Sequence, residues 1–345
     1  MGTPRSSRAA VPAAKRALLA SGFYSGFRRL LPSRQLAILR YHAVCAPDAG
    51  YADPGICISP SAFDRHLEYL SSHYRVLRLP EAVAWLEQGR TLPANAVAIT
   101  FDDGYADNRA AARAIARAGL SATFYLTAGC LGGDAPFWPA EIRELVRRMP
   151  TPAVELRSSG ETIRLAVGTP AERQASVATL TKLFKRHPIA VRERWREELR
   201  ALASVAQLPS PMLSWSDVAE MHLLGMTLGS HTMTHPNLPN AGPADAAREI
   251  SMSKSRLEQA IGEPVTMFSY PNGGADRYMT PEIAELVKQA GFAAATTSRN
   301  AFAGPASDRF ALERVQVAER LEDLVFALEV ERFAFKPLPR PGEVQ

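Results

Sequence analysis

Short apolar runs alternate with longer amphipathic stretches along most of the chain. Leu36-Ala37-Ile38-Leu39, Ala96-Val97-Ala98-Ile99, Ala122-Thr123-Phe124-Tyr125-Leu126 and Val265-Thr266-Met267-Phe268 have the length and bounds of buried strands. Met226-Thr227-Leu228-Gly229 is a further apolar run of this kind, and strands are also expected near Tyr74–Leu77, Phe292–Thr296 and Leu312–Val317. Between them, Ser59-Pro60 opens a helix whose buried stripe is Phe63, Leu67 and Leu70. Helices over Pro80–Gln88, Asp107–Ala118, Ala244–Ile261 and Thr280–Ala290 each run into a glycine, the usual stop. Ser214-Trp215-Ser216-Asp217 starts another helix like a capping box, and Gly225 ends it. A last amphipathic helix, Leu321–Phe333, precedes a Pro-rich tail. Strand followed by helix, repeated, argues for parallel β/α units.

Two segments depart from this rhythm. Residues 132–210 hold Pro136-Phe137-Trp138-Pro139, two short strand-like runs near Val154–Leu156 and Thr162–Leu165, and helical stretches over Pro170–Arg186 and Ala190–Ala206. They read as an insertion that forms a lid or substrate platform beside a site. Residues 1–34 carry seven basic residues and no acid, so the remainder carries −2 of the total +5. From Arg16 onward, Leu19, Phe23, Phe27, Leu30 and Leu31 recur at helical spacing. A secretory signal needs a continuous apolar stretch, and Ser21, Gly22, Ser25 and Gly26 interrupt this one. A basic amphipathic helix lying on the domain, or on an anionic membrane surface, fits better.

Composition bounds the function. An apolar fraction of 46% and a charged fraction of 22% are ordinary for a globular chain, and 345 residues can bury a large core. A body with slightly negative charge argues against nucleic acid as a partner. Cys45, Cys57 and Cys130 lack metal-ligand spacing and read as buried thiols, although a Cys45–Cys57 bridge is conceivable.

Candidate chemistry sits at strand ends. Thr100-Phe101-Asp102-Asp103-Gly104-Tyr105 places two carboxylates after an apolar run. Neighbouring strand side chains point opposite ways, so one acid can hold a metal while the other moves a proton; the alternative is a turn with solvated aspartates. Ser230-His231-Thr232-Met233-Thr234-His235-Pro236 puts two histidines four apart, on one helical turn or a tight loop. Two His and one Asp make a three-ligand set that leaves positions open for water and substrate.

These two motifs together resemble the first two motifs of the polysaccharide deacetylases of carbohydrate esterase family 4, which carry the chitooligosaccharide-deacetylase homology domain. The resemblance runs from about Gln35 to Arg332. It implies a distorted, incomplete (β/α) barrel with one long insertion: a basic segment 1–34, a catalytic domain 35–335 with the insertion near 132–210, and a tail 336–345. It implies Asp102 as general base and Asp103, His231 and His235 as ligands of a divalent metal, Zn²⁺ by default with Co²⁺ or Ni²⁺ suited too. Some members are circularly permuted, and Tyr41-His42-Ala43-Val44 is similar to their relocated final motif, which makes His42 the general acid. Phe268-Ser269-Tyr270-Pro271 resembles the third motif and points to the Tyr270 backbone N–H, beside Pro271, as an oxyanion donor. Ser269 stands near the place of the family's base-orienting Arg, and Arg314 is a candidate substitute. No late Asp-Trp element is evident. Trp138 is a candidate for stacking on a sugar ring, with a core or interface Trp as the alternative.

The expected activity is hydrolytic N-deacetylation of an N-acetylglucosamine-type polysaccharide or glycan. An amidohydrolase acting on a small or lipid-linked N-acyl sugar is the alternative, and a non-catalytic binding relic is a third. A cytoplasmic or peripheral-membrane location is favoured over a secreted or periplasmic one.

Overall fold

The apolar runs become strands because their two faces meet two different cores. The computed structural model describes residues 7–158, 161–205, 207–273 and 278–333; the Pro-rich tail lies outside them. The strands are β1 Ala37–Tyr41, β2 Arg75–Val76, β3 Ala96–Phe101, β4 Thr123–Leu126, β5 Ala153–Ser158, β6 Glu161–Ala166, β7 Thr227–Ser230, β8 Met267–Ser269, β9 Ala294–Thr296 and β10 Val315–Gln316. Eight form one sheet in the order β10-β1-β3-β4-β7-β8-β9, with β2 beside the start of β3, and every pairing in it is parallel. The sheet curls until its ends meet. Leu312 bridges Thr296 at the end of β9, and Val315 then pairs with Leu39 of β1. Residues 312–314 bond to 295–299 before the chain changes partner, so the expected strand Leu312–Val317 shrinks to two residues. The result is an incomplete α/β barrel.

Alternation along each strand sorts the side chains. Leu39, Tyr41, Val97, Ile99, Phe101, Phe124 and Phe268 face the helices and build the main core. The opposite face fills the barrel. Near the strand starts that interior is apolar, with Leu36, Ile38, Ala96, Ala98, Met267 and Leu312. Further along the same face the residues become Arg40, Thr100 and Gln316, and then His42 and Asp102, with the Arg314 side chain reaching Thr100 and Asp102. The register aligns them, with Arg40 opposite both Thr100 and Gln316. A polar layer at the C-terminal mouth of a parallel barrel is where active sites of such folds lie.

The helices follow the expected signals. Ser59 caps the helix Pro60–His73 through Ala62 N–H, and Ser214 with Asp217 makes a capping box for Trp215–Leu223. The insertion adds an antiparallel hairpin, β5–β6, and helices Trp138–Arg148, Pro170–Arg186 and Ile189–Leu202 around its own apolar core of Ile142, Leu156, Leu180 and Trp195. The first of these helices was not expected; it opens on Trp138 and Pro139 of the Pro-flanked aromatic segment. The last expected helix stops at Glu329, and a 3₁₀ turn covers Glu331–Phe333.

The N-terminal stretch forms two helices, Ser7–Ala20 and Phe23–Leu30, separated at Gly22 with φ 75°. They rest on the domain. Lys15 pairs with Asp323 at 3.0 Å, Arg16 with Glu322 at 3.2 Å, and buried Arg28 with Glu329 at 2.6 Å. Phe23, Leu30 and Leu31 stay exposed. No helix among the described residues is long and apolar enough to cross a membrane. Cys45 and Cys57 are buried free thiols with their sulfurs 3.2 Å apart.

Candidate functional site

The sheet register brings Asp102, Asp103, His231, His235, His42 and Arg314 to one cavity mouth. Asp103 follows β3 with φ 77°, a conformation held against local preference. Gly104 comes next at φ 89°, and a Cβ there would stand 3.1 Å from Leu126. The two histidines do not lie on a helix. They leave β7 on a tight loop in which Thr232 has φ 69° and His235 φ 55°. Such strain persists where surroundings over-determine it, and it gathers at functional sites. Here the surroundings are explicit. Glu249 accepts from Met233 N–H, Thr234 N–H and the Thr234 hydroxyl at 2.9, 2.8 and 2.6 Å. Arg192 of the insertion donates to the same threonine at 2.9 Å.

The ligand atoms of Asp103, His231 and His235 lie within 4.8 Å of one another, all buried. His231 Nδ1 is 2.7 Å from the Ser269 carbonyl, so that nitrogen carries the hydrogen and Nε2 presents a lone pair. Both Nε2 atoms approach Asp103 Oδ1, at 3.5 and 3.3 Å, yet that oxygen has no hydrogen-bond partner. The His231 lone pair and the Asp103 oxygen, two acceptors facing one another with His235 Nε2 beside them, are a misfit for a proton and a fit for a divalent cation. Burial works to raise the Asp103 carboxyl, and the two imidazoles outweigh it and hold it well below the usual range.

Asp102 has the opposite surroundings. Arg314 grips both its oxygens, Nη1 at 2.7 Å and Nη2 at 2.6 Å. Burial again opposes the charge, but Arg314 first, then His231 and His42, keep the carboxyl well below the ordinary value. Arg314 is itself fully buried and held by the Thr297 carbonyl at 2.7 Å and the Ser269 hydroxyl at 3.0 Å. Arg314, just before the strand that closes the barrel, thus stands beside Ser269, whose hydroxyl accepts from it and whose carbonyl faces His231.

His42 Nε2 stands 3.8 Å from Asp102 Oδ2. Although 18% of its side chain stays exposed, desolvation pushes the imidazole down to about 4, against the pull of Asp103 and Asp102. It is therefore neutral at pH 7. Asn108 fixes it by donating to the His42 carbonyl at 2.7 Å.

Two expectations change. The Tyr270 N–H donates to the Thr296 carbonyl at 3.1 Å in the β8–β9 ladder, and its ring is 1% exposed, so it has no donor to offer a substrate. Asn272, past Pro271 on the same turn, lines the cavity at φ 74° and donates from Nδ2 to the Pro236 carbonyl at 3.0 Å. Trp138 is 2% exposed, with no open face for a sugar. Its indole N–H bonds the His235 carbonyl at 2.9 Å and seats the ligand loop on the insertion.

The cavity holds about 490 Å³. Its walls include Arg40, Gln316, Asn300 and Asn272, which the motifs did not single out, and Arg143 and Lys185 of the insertion.

Comparison with known proteins agrees with this geometry. The family model described as "Polysaccharide deacetylase" matches residues 173–295, which include His231 and His235. The Bacillus subtilis (strain 168) protein "Putative polysaccharide deacetylase YxkH" is 26% identical over 153 residues, 44% of this chain and 51% of that protein. The chain thus spans about half the length of that curated relative. Among solved structures, the Streptococcus pyogenes deacetylase PplD in complex with acetate superposes with a TM-score of 0.56 at 17% identity, over 87% of this chain and 99% of that one. IcaB from Ammonifex degensii gives 0.56 at 19%, over 86% and 97%. At such identities these two likenesses speak for the fold. Residues 173–295 thus match a polysaccharide deacetylase domain, and the shared barrel and the Asp-His-His set in its mouth agree with that match.

Proposed function

We propose that the chain is a metal-dependent hydrolase that removes acetyl groups from an N-acetylglucosamine-type polysaccharide or glycan. One observation carries this reading: a three-acceptor set fit for a divalent cation lies next to a carboxylate clamped by a buried arginine, both opening on one cavity. A cation such as Zn²⁺, held by Asp103, His231 and His235, would supply Lewis-acid polarisation of the amide carbonyl and acidify water. Asp102, kept ionised and oriented by Arg314, withdraws the proton as water attacks. His42 lies one short step away, and an imidazolium formed where burial disfavours it is a strong donor to the departing amine. Because the Tyr270 N–H is occupied, the role of oxyanion donor passes to Asn272, whose N–H has no backbone acceptor among the described residues.

A second reading is a small or lipid-linked N-acyl sugar as substrate. The insertion favours it by supplying one wall of the cavity through Arg143, Thr181 and Lys185.

The deciding experiment measures acetate and free-amine release from N-acetylglucosamine oligomers by wild type, Asp102→Asn and His42→Ala, each stripped of metal and reloaded with Zn²⁺. The expected result is metal-dependent release that falls in both variants by roughly 10²-fold or more. Loss with Asp102→Asn alone would remove His42 from the mechanism. Inactive wild type with Zn²⁺ bound would overturn the oligomer as substrate.

A further inference from the structure

The cavity contains a second guanidinium that the chemistry above leaves unused. Arg40 sits on β1 two residues before His42, so both side chains lie on the interior face, and the register places it opposite Thr100 and Gln316. It is 9% exposed and lines the cavity. Among the described residues its one side-chain hydrogen bond goes from Nη2 to Gln316 Oε1 at 2.8 Å, and its buried Nε has no partner. No carboxylate among the described residues lies within ion-pair distance. Asp102, the nearest acid on that face, is bound at both oxygens by Arg314. Arg143 and Asp53, at the other rim, pair with each other.

A buried guanidinium without a counter-charge is costly, and such charges are normally paired. A cation in the Asp103 set would add to the positive excess. Gln316 turns its carbonyl to Arg40, which leaves its amide N–H groups for a ligand acceptor. A planar fork beside amide donors suits a group with several negatively charged oxygens.

We propose that Arg40 anchors an anionic substituent of the substrate, a carboxylate or a phosphate carried by the N-acyl sugar close to its acetamide. This rests on the N-acyl sugar reading above and narrows it to a charged glycan, or to a sugar joined to its carrier through phosphate. Gln316 is the second contact. Burial and neighbouring Arg314 push the Arg40 guanidinium down to about 10, which leaves it charged at neutral pH.

The test compares three probes on the full chain loaded with Zn²⁺: a neutral N-acetylglucosamine trimer, N-acetylglucosamine 1-phosphate and N-acetylmuramic acid. Equilibrium binding is measured by calorimetry with acetate release followed in parallel, for wild type, Arg40→Met and Arg40→Lys. Wild type is expected to bind one anionic probe roughly 10–100-fold more tightly than the neutral one, the range of a hydrogen bond to a charged group. Which probe wins tells carboxylate from phosphate. The preference should collapse to about one in Arg40→Met and return in part in Arg40→Lys, which keeps charge without the fork. A wild-type ratio near one, or a ratio unchanged in Arg40→Met, overturns the proposal. If Arg40→Met fails to fold, the wild-type ratio and its fall in Arg40→Lys still decide. Anionic preference without acetate release from any probe would keep the anion site and sink the deacetylase reading. Acetate release indifferent to substrate charge would do the reverse.

Discussion

The two walls of the cavity are electrostatic opposites. On the side of β3 and β7, Asp103, His231 and His235 bring their ligand atoms within 4.8 Å of one another, and Asp103 Oδ1 has no hydrogen-bond donor among the described residues. On the side of β1 and β10, Arg314 and Arg40 bring two guanidiniums to one face, and Asp102 satisfies only the first. Asp102 and Asp103 are adjacent in the chain and both buried, yet both oxygens of the first are bound by Arg314, while Oδ1 of the second has no hydrogen-bond partner among the described residues. The lesson is that a carboxylate's task is set by the wall it faces. The strand alternation that separates the two side chains is what permits the division of labour.

The largest disturbance to this contrast is to spoil the acceptor wall. Asp103→Asn is expected to abolish retention of Zn²⁺ on dialysis and to lower activity by roughly 10³-fold or more, since a catalytic cation supplies several kcal/mol. Elemental analysis alongside rate measurement checks this, and a variant that keeps its metal would break the assignment of the wall.

Next is the donor wall. Arg314→Met leaves Asp102 buried and unpaired, a situation that costs about 3–5 kcal/mol at neutral pH. In wild type the folded Asp102 carboxyl lies below its unfolded value. The stability it contributes is therefore fully present above the unfolded value near ~3.9 and is lost as pH falls through the folded value. The gap between wild type and variant in urea melts should accordingly narrow toward acid. Without Arg314, burial dominates and raises the carboxyl, so the acid limb of the rate profile should move to higher pH. An unmoved limb would show that Asp102 is not the base.

The smallest effect sharpens the comparison without breaking it. Trp138→Phe keeps the ring and removes the N–H that holds the His235 carbonyl, and about tenfold weaker metal binding is expected. Competition with a chelator measures it.

Much of the acceptor wall was legible in the sequence because its residues come in two short motifs, each at the end of an apolar run. The donor wall was not. Arg314 lies 212 residues from Asp102, and only the change of strand partner at residues 312–315 brings them together. Arg40 gave no signal because all five positions of β1 are buried, so no polar alternation marked the interior face. Tyr270 misled because the fate of its N–H depends on the β8–β9 pairing. Helix Trp138–Arg148 hid behind two flanking prolines, although Ile142, Leu145, Val146 and Met149 do recur at helical spacing.

The seam of the barrel, where β10 meets β1, has a consequence for biosynthesis. Asp103, His231 and His235 have all been translated when residue 235 is joined, but Arg314 and Gln316 arrive about eighty residues later. A nascent chain can therefore own its complete ligand set while Asp102 still lacks its clamp and the cavity lacks its last strand. The strand that closes the seam is the last part of the cavity to be made, and only when it has folded back beside the first strand does Asp102 gain its buried partner.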